Sequence, residues 1–330
     1  MQTTQLGQTG LTVSRIGLGL AALGRPGYIN LGHCQDLTSH DVAAMEAHTH
    51  EVLDTAWEAG IRYFDAARSY GRAEAFLASW LQSRKIGSEK VTVGSKWGYT
   101  YTANWQVEAK KHEVKEHTLP VLQRQVAETF ELLGEYLDLY QIHSATLDTG
   151  VLEDTTVLCE LAQWKERGLK IGLSLSGPEQ KETLEKAMEV QVNGIRLFDC
   201  VQATWNILEP SVGEVLKKAH DSGMGVIVKE TLANGRLTSR NQMPEFAAKR
   251  NRLQEIAERH NVGIDAIALG AVLRHPWANL VLTGAAASTH LHANLAALEV
   301  NFRQEEFTIL EGLAESPSEY WQTRANLEWN

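Results

Sequence analysis

The fold of this chain is decided by the stretch Gly60-Ile61-Arg62-Tyr63-Phe64-Asp65-Ala66-Ala67-Arg68-Ser69-Tyr70-Gly71. Its apolar part is typical of a buried strand that ends at Asp65, and Tyr70 follows in a turn-prone loop. Two later apolar runs also end at polar residues, one at Lys96 and one at His143. Packing alone does not account for four such residue types at successive strand ends, so the pattern indicates a proton-transfer site.

Around this stretch, short apolar strands alternate with amphipathic helical segments, which is typical of a parallel sheet. Strands are predicted near residues 14–20, 61–66, 91–96, 137–143, 169–175, 197–203, 224–229 and 279–283. Helices are predicted near residues 43–59, 72–83, 119–134, 154–167, 179–191, 211–222 and 290–299, with two more inside 246–275. Eight strand–helix units predict an α/β fold, a (β/α)8 TIM barrel with extra helices near the C-terminus.

The segments outside the repeating units complete this prediction. Residues 4–13 have the pattern of a hairpin with its turn at Gln8-Thr9-Gly10, which we expect to cap the bottom of the barrel. No linker-like segment divides the chain, so residues 1–330 are predicted to form one barrel domain.

Composition excludes several classes of function. The net charge of −10 argues against a nucleic-acid partner, because a phosphate backbone needs a basic face. Three widely spaced cysteines, Cys34, Cys159 and Cys200, suit a reducing compartment. The sequence shows neither a secretory signal pattern nor an apolar stretch of membrane-spanning length. We therefore expect a cytoplasmic protein with no membrane partner; the oligomeric state is left open.

The four polar residues at the strand ends suit the reduction of a carbonyl group. Hydride addition to carbon requires a proton for the oxygen, and Tyr70 is the predicted general acid. A phenol has a reference pKa of about 10, so Lys96 is expected to lower it by its charge. Asp65 is expected to hold Lys96 in place, and His143 to polarise the carbonyl. The substrate is accordingly a small-molecule carbonyl or alcohol, and no metal site is expected.

Chemistry in such barrels lies on the loops that follow the strands. Three segments expected to form walls of the substrate pocket are long: residues 21–41, residues 97–117 and the tail 317–329. Trp97 and Tyr99 are predicted to line a substrate pocket, although a packing role for such aromatic residues is equally compatible with the sequence.

From Leu6-Gly7-Gln8-Thr9-Gly10-Leu11 to its tail, the chain resembles the aldo-keto reductase family. The stretch 60–71 is similar to the family's segment around its catalytic Asp and Tyr, and Lys96 and His143 fall where the other catalytic residues stand. The resemblance implies a (β/α)8 barrel and a nicotinamide cofactor, usually NADPH, bound without a Rossmann domain.

The resemblance also implies cofactor positions, with an uneven match. Leu175 stands where the family usually has Asn, and Lys229 stands where an aromatic residue often stacks on the nicotinamide. Arg236 belongs to a segment, residues 232–237, that resembles the loop crossing the pyrophosphate. The implied cofactor-binding residues are Ser174, Gln202, Lys229, Leu232, Asn234, Arg236, His290 and Asn294.

The position of the adenosine 2′-phosphate departs most from the family. His290 replaces the usual Arg, Gly284 and Ala285 replace a Lys-Ser pair, and Ala293 replaces an acid, whereas Asn294 persists. Because Arg binds phosphate through a fixed fork, this site is weaker than usual. NADPH is still favoured as the cofactor, with NAD as the alternative.

Two other functions remain open at this level. Lys229 also ends a predicted strand, and a desolvated lysine can form a Schiff base, as in an aldolase. The departures at Leu175 and Lys229 also allow a regulatory subunit that binds the cofactor on the same barrel without turnover.

Overall fold

A computed structural model describes residues 1–330. Eight parallel strands hydrogen-bond in sequence order and close into a barrel. They are β1 (Ile16–Gly19), β2 (Tyr63–Asp65), β3 (Thr92–Trp97), β4 (Leu137–Ala145), β5 (Lys170–Leu175), β6 (Cys200–Thr204), β7 (Gly225–Lys229) and β8 (Leu280–Thr283). The predicted (β/α)8 barrel is confirmed, and each predicted strand is present near its expected limits.

Helices surround the barrel and follow the strands in turn. They are α1 (Val42–Glu58), α2 (Ala73–Ser83), α3 (Leu119–Leu133), α4 (Thr155–Glu166), α5 (Gln180–Glu189), α6 (Gly213–Asp221), α7 (Ala247–His260), α8 (Ile264–Leu273), α9 (Ser288–Leu295), α10 (Gln304–Glu311) and α11 (Pro317–Ala325). The two helices predicted within residues 246–275 are α7 and α8. None of the helices combines the length and apolar character needed to cross a membrane.

The predicted N-terminal hairpin is present, and it closes the bottom of the barrel. Thr3–Gln5 pairs with Thr12–Ser14, and Leu6 is fully buried against apolar side chains inside the barrel. Gly7 approaches the start of β7 so closely that a Cβ there would lie 2.4 Å from the Gly225 nitrogen. Only glycine, which also tolerates the positive φ at this position, allows the contact.

The main apolar core, a cluster of 59 buried residues, lies mostly between the barrel and its helices. Burying each Leu or Val side chain there stabilises the fold by about 1.5–3 kcal/mol. The upper interior of the barrel is instead polar, with Asp65, Lys96, Gln141 and Gln202 all buried. Stability is therefore supplied largely by the outer layer, which leaves the inside of the barrel free to hold charged groups.

Two short antiparallel pairs were not predicted from the sequence. Tyr99–Tyr101 pairs with Glu113–Lys115 inside the loop that follows β3. Gln191–Val192 pairs with Ile195–Arg196 between α5 and β6. Strands of two or three residues have no detectable alternation of apolar and polar side chains, which is why the sequence does not reveal them.

Candidate active site

The four predicted catalytic side chains meet at the carboxyl end of the barrel. Lys96 is fully buried, forms an ion pair with Asp65 and donates to the Ala66 carbonyl oxygen over 2.9 Å. Its Nζ lies 3.5 Å from the Tyr70 hydroxyl. The ring of His143 packs edge-on against Tyr70, with centroids 5.4 Å apart. The structure thus joins the four groups in a chain of contacts from the Asp65 carboxylate through the Lys96 ammonium and the Tyr70 phenol to the His143 imidazole.

Strand geometry explains this convergence. Asp65 pairs with Gly94 between β2 and β3, and Lys96 pairs with Gln141 between β3 and β4. Successive side chains of a strand point to opposite faces, so Lys96 faces the barrel axis while its neighbours face the helices. Register and pleat together bring the strand-end residues to one point.

Tyr70 is delivered by the tight turn after β2. Its backbone N–H donates to the Ala67 carbonyl oxygen over 3.0 Å. The turn passes so near the chain after β1 that a Cβ at Gly71 would lie 2.4 Å from the Gly24 oxygen. A glycine with positive φ is therefore required directly after Tyr70.

The carboxylate of Asp65 is fully satisfied despite its burial. One oxygen receives the Lys96 ammonium, and the other accepts from Gln202 Nε2 at 2.9 Å, the Tyr63 hydroxyl at 3.2 Å and Gln141 Nε2 at 3.5 Å. A buried charge is tolerated when it is paired and hydrogen-bonded in this way. Asp65 is consequently the fixed point from which the Lys96 side chain is oriented.

Tyr70 retains its proton in this environment. Burial raises the pKa of Tyr70 far above its ordinary value, Asp65 raises it further, and Arg25 only partly opposes the rise. Burial and Asp65 therefore outweigh the opposing cation in setting the pKa of Tyr70; that Lys96 assists proton release from Tyr70 stays a prediction. The phenol remains a proton donor over the whole physiological pH range.

His143 is neutral for related reasons. Burial lowers the pKa of His143 well below its ordinary value, and the charges of Lys96 and Lys229 lower it further. A neutral imidazole carries one N–H and one acceptor nitrogen. It can donate a hydrogen bond to a carbonyl oxygen without bringing a full charge into the site.

A cavity of about 650 Å³ opens over these residues, in the size range of small-molecule and cofactor sites. Its catalytic arm is lined by Tyr70, Tyr99, His143 and Trp329. The part lined by Asn234, Arg240, His290 and Asn294 is called the distal arm. The tail predicted as a pocket wall does line the cavity, through Arg324, Ala325, Leu327 and Trp329.

Most of the predicted binding residues reach this cavity. The residues that line it are Gln202, Lys229, Leu232, Asn234, His290, Asn294 and, in the catalytic arm, Tyr99. Asn234 is buried, has a positive φ of 55° and leaves its side-chain oxygen without a hydrogen-bond partner. An unpartnered buried oxygen in a cavity wall is suited to a ligand that donates a hydrogen bond.

Arg236 does not line the cavity, contrary to the prediction from sequence. Its guanidinium pairs with Glu315 at 2.6 Å and lies over the ring of Tyr320. The left-handed backbone at Ala233 and Asn234 turns the chain so that Arg236 faces the C-terminal helices. Arg240, four residues later, lines the distal arm instead.

Trp97 and Ser174 also differ from their predicted positions. Trp97 is fully buried against the helical layer and packs edge-on against His117, because it alternates with the inward-facing Lys96. Ser174 lies within the barrel wall, where its hydroxyl accepts from the Ser144 N–H at 2.8 Å. Ser144, rather than Ser174, lines the cavity.

Arg25 is a site residue that the sequence does not reveal. Its side chain is 3% exposed and donates to the Ser69 carbonyl oxygen at 3.0 Å and to Glu113 at 2.9 Å. The guanidinium also lies over the rings of Tyr70 and Trp329. Arg25 therefore ties the turn that carries Tyr70 to two of the long loops. Its partners are distant in the chain, so no local motif marks them.

Lys229 and Glu230 form a second charged group at the cavity. Glu230 bonds Arg324 through both carboxylate oxygens, at 2.8 Å for the closer contact to Nε. Burial opposes the charge of Glu230, but Arg324 and Lys229 prevail and hold its pKa at about 2. Burial lowers the pKa of Lys229 to about 8, and its Nζ lies 2.9 Å from the Thr204 hydroxyl.

The C-terminal residues contact two loops beside the catalytic arm. The indole of Trp329 stacks on His112, with centroids 3.9 Å apart and planes 6° from parallel. Asn330 exchanges backbone hydrogen bonds with Tyr28. The tail thereby joins the loop after β1 to the loop after β3.

Comparison with known proteins agrees with this geometry. Residues 15–315 match the model of the aldo/keto reductase family. An NADH-specific methylglyoxal reductase of Escherichia coli is 26% identical, with 96% of this chain and 99% of that protein covered. A pyridoxal 4-dehydrogenase of Microbacterium luteolum is 24% identical over 93% of this chain and 96% of that protein.

Solved structures show the same fold. An aldo-keto reductase from Bacillus halodurans, in its holo form, superposes with a TM-score of 0.70 at 22% identity, covering 96% of this chain and 97% of that one. The family match spans nearly the whole barrel, including every strand that contributes to the cavity floor. The chain therefore belongs to the aldo/keto reductase family and is an NAD(P)H-dependent oxidoreductase.

Proposed function

We propose that the protein reduces an aldehyde or ketone to the alcohol, or catalyses the reverse oxidation, with Tyr70 as the proton donor. The observation that carries the proposal is the contact between Tyr70 and Lys96 at the cavity floor, 3.5 Å apart, beside the neutral ring of His143. Each group has a defined part in carbonyl reduction.

A reduced nicotinamide held in this cavity would supply the hydride for the carbonyl carbon. His143 donates a hydrogen bond to the carbonyl oxygen and draws charge onto it. Tyr70 then gives its hydroxyl proton to that oxygen, and solvent restores the proton afterwards. In the reverse direction the same groups remove the proton from the alcohol.

Lys96 acts on the phenolate that forms when Tyr70 releases its proton. The ammonium group stands beside the developing charge, in a buried site where such interactions are stronger than in water. Asp65 orients Lys96 through their ion pair, and Arg25 steadies the turn that carries Tyr70. Lys96 therefore stabilises the phenolate that proton transfer produces, which opposes the effect of burial on Tyr70.

Residues suited to hold the cofactor line the rest of the cavity. Gln202 and Lys229 lie near the catalytic arm, where a nicotinamide must reach the carbonyl, while Asn234 and Arg240 lie along the distal arm. The sequence favours NADPH, and the charges of the distal arm bear on this preference. A cytoplasmic location remains a prediction; the three cysteines are all free.

The test is a turnover assay on the full chain with NADH and with NADPH. The carbonyl panel should include methylglyoxal, pyridoxal and an aromatic aldehyde, since relatives act on the first two according to their names. We expect carbonyl-dependent oxidation of the reduced cofactor. Normal cofactor binding without turnover across the panel and an added sugar series would support a regulatory subunit instead.

The aldolase alternative rests on Lys229, which lines the cavity and has a pKa lowered by burial to about 8. Its Nζ is occupied by the Thr204 hydroxyl and lies 3.6 Å from Glu230, an arrangement that holds the ammonium form. Treatment with borohydride and each carbonyl substrate should leave Lys229 unmodified. A stable adduct at Lys229, absent in Lys229→Gln, would favour the aldolase.

A further inference from the structure

A cluster of three side chains, Asp36, Arg240 and His290, stands at the distal arm. The guanidinium of Arg240 forms a two-point ion pair with Asp36, one contact measuring 2.8 Å. Its Nη2 also lies 3.1 Å from His290 Nε2, which is itself 3.6 Å from an Asp36 oxygen. Arg240 and His290 line the cavity, while the Asp36 side chain lies just behind them at 4% exposure.

The charges of Arg240 and Asp36 cancel. The single positive charge of the guanidinium is matched by the carboxylate that it contacts at two points. A guanidinium can only donate, so a hydrogen bond from Arg240 to His290 uses Nε2 as the acceptor. Arg240 therefore brings no unpaired charge to the cavity.

Arg240 is also held where it is by the loop after β1. Its Nη1 donates to the Gly32 carbonyl oxygen at 2.9 Å and approaches that of Leu31 at 3.4 Å. Both terminal nitrogens of the guanidinium thus have protein partners. Turning the fork toward a phosphate would break the Asp36 pair and leave a buried carboxylate without its cation, which is costly.

We propose that Asp36 sets the cofactor specificity, so that the protein prefers NADH over NADPH. A ribose with a free 2′-hydroxyl meets hydrogen-bonding side chains in which the charge of Arg240 is already paired with Asp36. A 2′-phosphate carries about two negative charges, which Asp36 would repel. Arg240 would not be available to bind it, because its guanidinium is paired with Asp36. The inference rests on the proposed function, since it takes the cavity to bind a nicotinamide dinucleotide, and it reverses the preference expected from sequence.

The test measures binding of the adenosine half alone, without turnover. ADP-ribose and 2′-phospho-ADP-ribose are titrated into the full chain by calorimetry at one ionic strength. We expect the wild type to bind ADP-ribose at least as tightly as the phosphorylated probe. Asp36→Asn, which keeps a hydrogen bond to Arg240 but removes the charge, should tighten the phosphorylated probe by roughly tenfold and change ADP-ribose by less than about threefold.

Asp41→Asn is the matched control. Asp41 lies on the same loop, but its carboxylate caps α1 by accepting from two backbone N–H groups, a role that Asn also fills. This variant loses the same charge and should leave the ratio of the two affinities unchanged.

A second variant keeps the test decisive if Asp36→Asn does not fold. His290→Arg adds an uncompensated cation to the cavity wall and should tighten the phosphorylated probe selectively. A wild type that binds the phosphorylated probe tenfold more tightly, an unchanged ratio in both variants, or no binding of either probe would overturn the inference. If the two probes bind with the expected ratio but no carbonyl substrate is turned over, the result contradicts the proposed reaction and leaves the inference about Asp36 intact.

Discussion

The two arms of the cavity are built in different ways. The catalytic arm rests on side chains at the ends of β2, β3 and β4, which the closed barrel holds in fixed register. The distal arm is assembled by loops, and its central ion pair joins residues 204 positions apart. The proposed proton transfer therefore depends on groups fixed by the barrel, whereas the proposed choice of cofactor depends on contacts between loops.

Lys96→Met should produce the largest effect, because it breaks the catalytic arm. Removing the ammonium strands the buried Asp65 carboxylate, and we expect the free energy of unfolding to fall by about 3–5 kcal/mol. Turnover should fall by roughly 10²–10⁴. Denaturant unfolding and a steady-state assay on the folded fraction provide the two readings.

Lys229→Met is the comparison for that experiment. The Lys229 side chain is 15% exposed and lies at the end of β7, so Lys229→Met should lower the free energy of unfolding clearly less than Lys96→Met does. Equal destabilisation by both substitutions would contradict the special status given to the Asp65–Lys96 pair.

His143→Gln should lower kcat by roughly 10²–10³, since one preorganised donor to the carbonyl oxygen is weakened. The cofactor dissociation constant should be nearly unchanged. Because the pKa of His143 lies well below 6.5, the wild-type kcat should show no acidic inflection from this imidazole between pH 6 and 8. An inflection in that range that disappears in His143→Gln would show that the ring is charged.

Acid should weaken the protein through histidines buried in its loops. Burial lowers the pKa of both His33 and His117 to about 4, so between pH 6.5 and 4 the unfolded chain binds more protons than the folded one. Stability is therefore lost as the pH falls through this window, by about 1.4 kcal/mol per pH unit for each histidine. Burial raises the pKa of Asp138 to about 6, which acts in the opposite direction between pH 3.8 and 6.

Two variants separate these contributions. His33→Phe keeps an aromatic ring beside Tyr28 and should make the pH dependence of unfolding shallower. Asp138→Asn should make it steeper. Identical slopes in the wild type and both variants would show that neither group titrates as described.

The smallest expected effect concerns Lys229. With its pKa lowered to about 8 by burial, this side chain loses its charge as the pH rises past that value. Cofactor binding should then weaken by at most about 1.5–3 kcal/mol, the value of a hydrogen bond to a charged group. Binding curves by tryptophan fluorescence from pH 7 to 9.5 should show this change in the wild type but not in Lys229→Gln.

The same contrast decides what could be predicted from the sequence. Asp65, Lys96 and His143 end apolar strands, and the barrel itself follows from eight strand–helix units, so local patterns suffice for both. Treatment of residues 1–330 as one domain remains a prediction. Trp97 does not line the cavity, because it directly follows Lys96 and alternate side chains of a strand face opposite ways.

The loops resist prediction for a different physical reason. Arg25 meets Glu113 across 88 residues, and no periodicity marks such a pair. Arg236 and Arg240 lie on one short loop, and only its left-handed turns decide which of them faces the cavity. The position of these charges is a tertiary property that a local motif does not contain.

The assignment of Tyr70 as the proton donor is tested by the pair of variants Tyr70→Phe and Tyr63→Phe. Both tyrosines adjoin the Asp65–Lys96 pair, but Tyr63 is fully buried in the barrel and does not line the cavity. With cofactor affinity measured in parallel, Tyr70→Phe should lose turnover by at least about 10² while Tyr63→Phe keeps most of it. Near-wild-type turnover in Tyr70→Phe would contradict the assignment of Tyr70 as the proton donor.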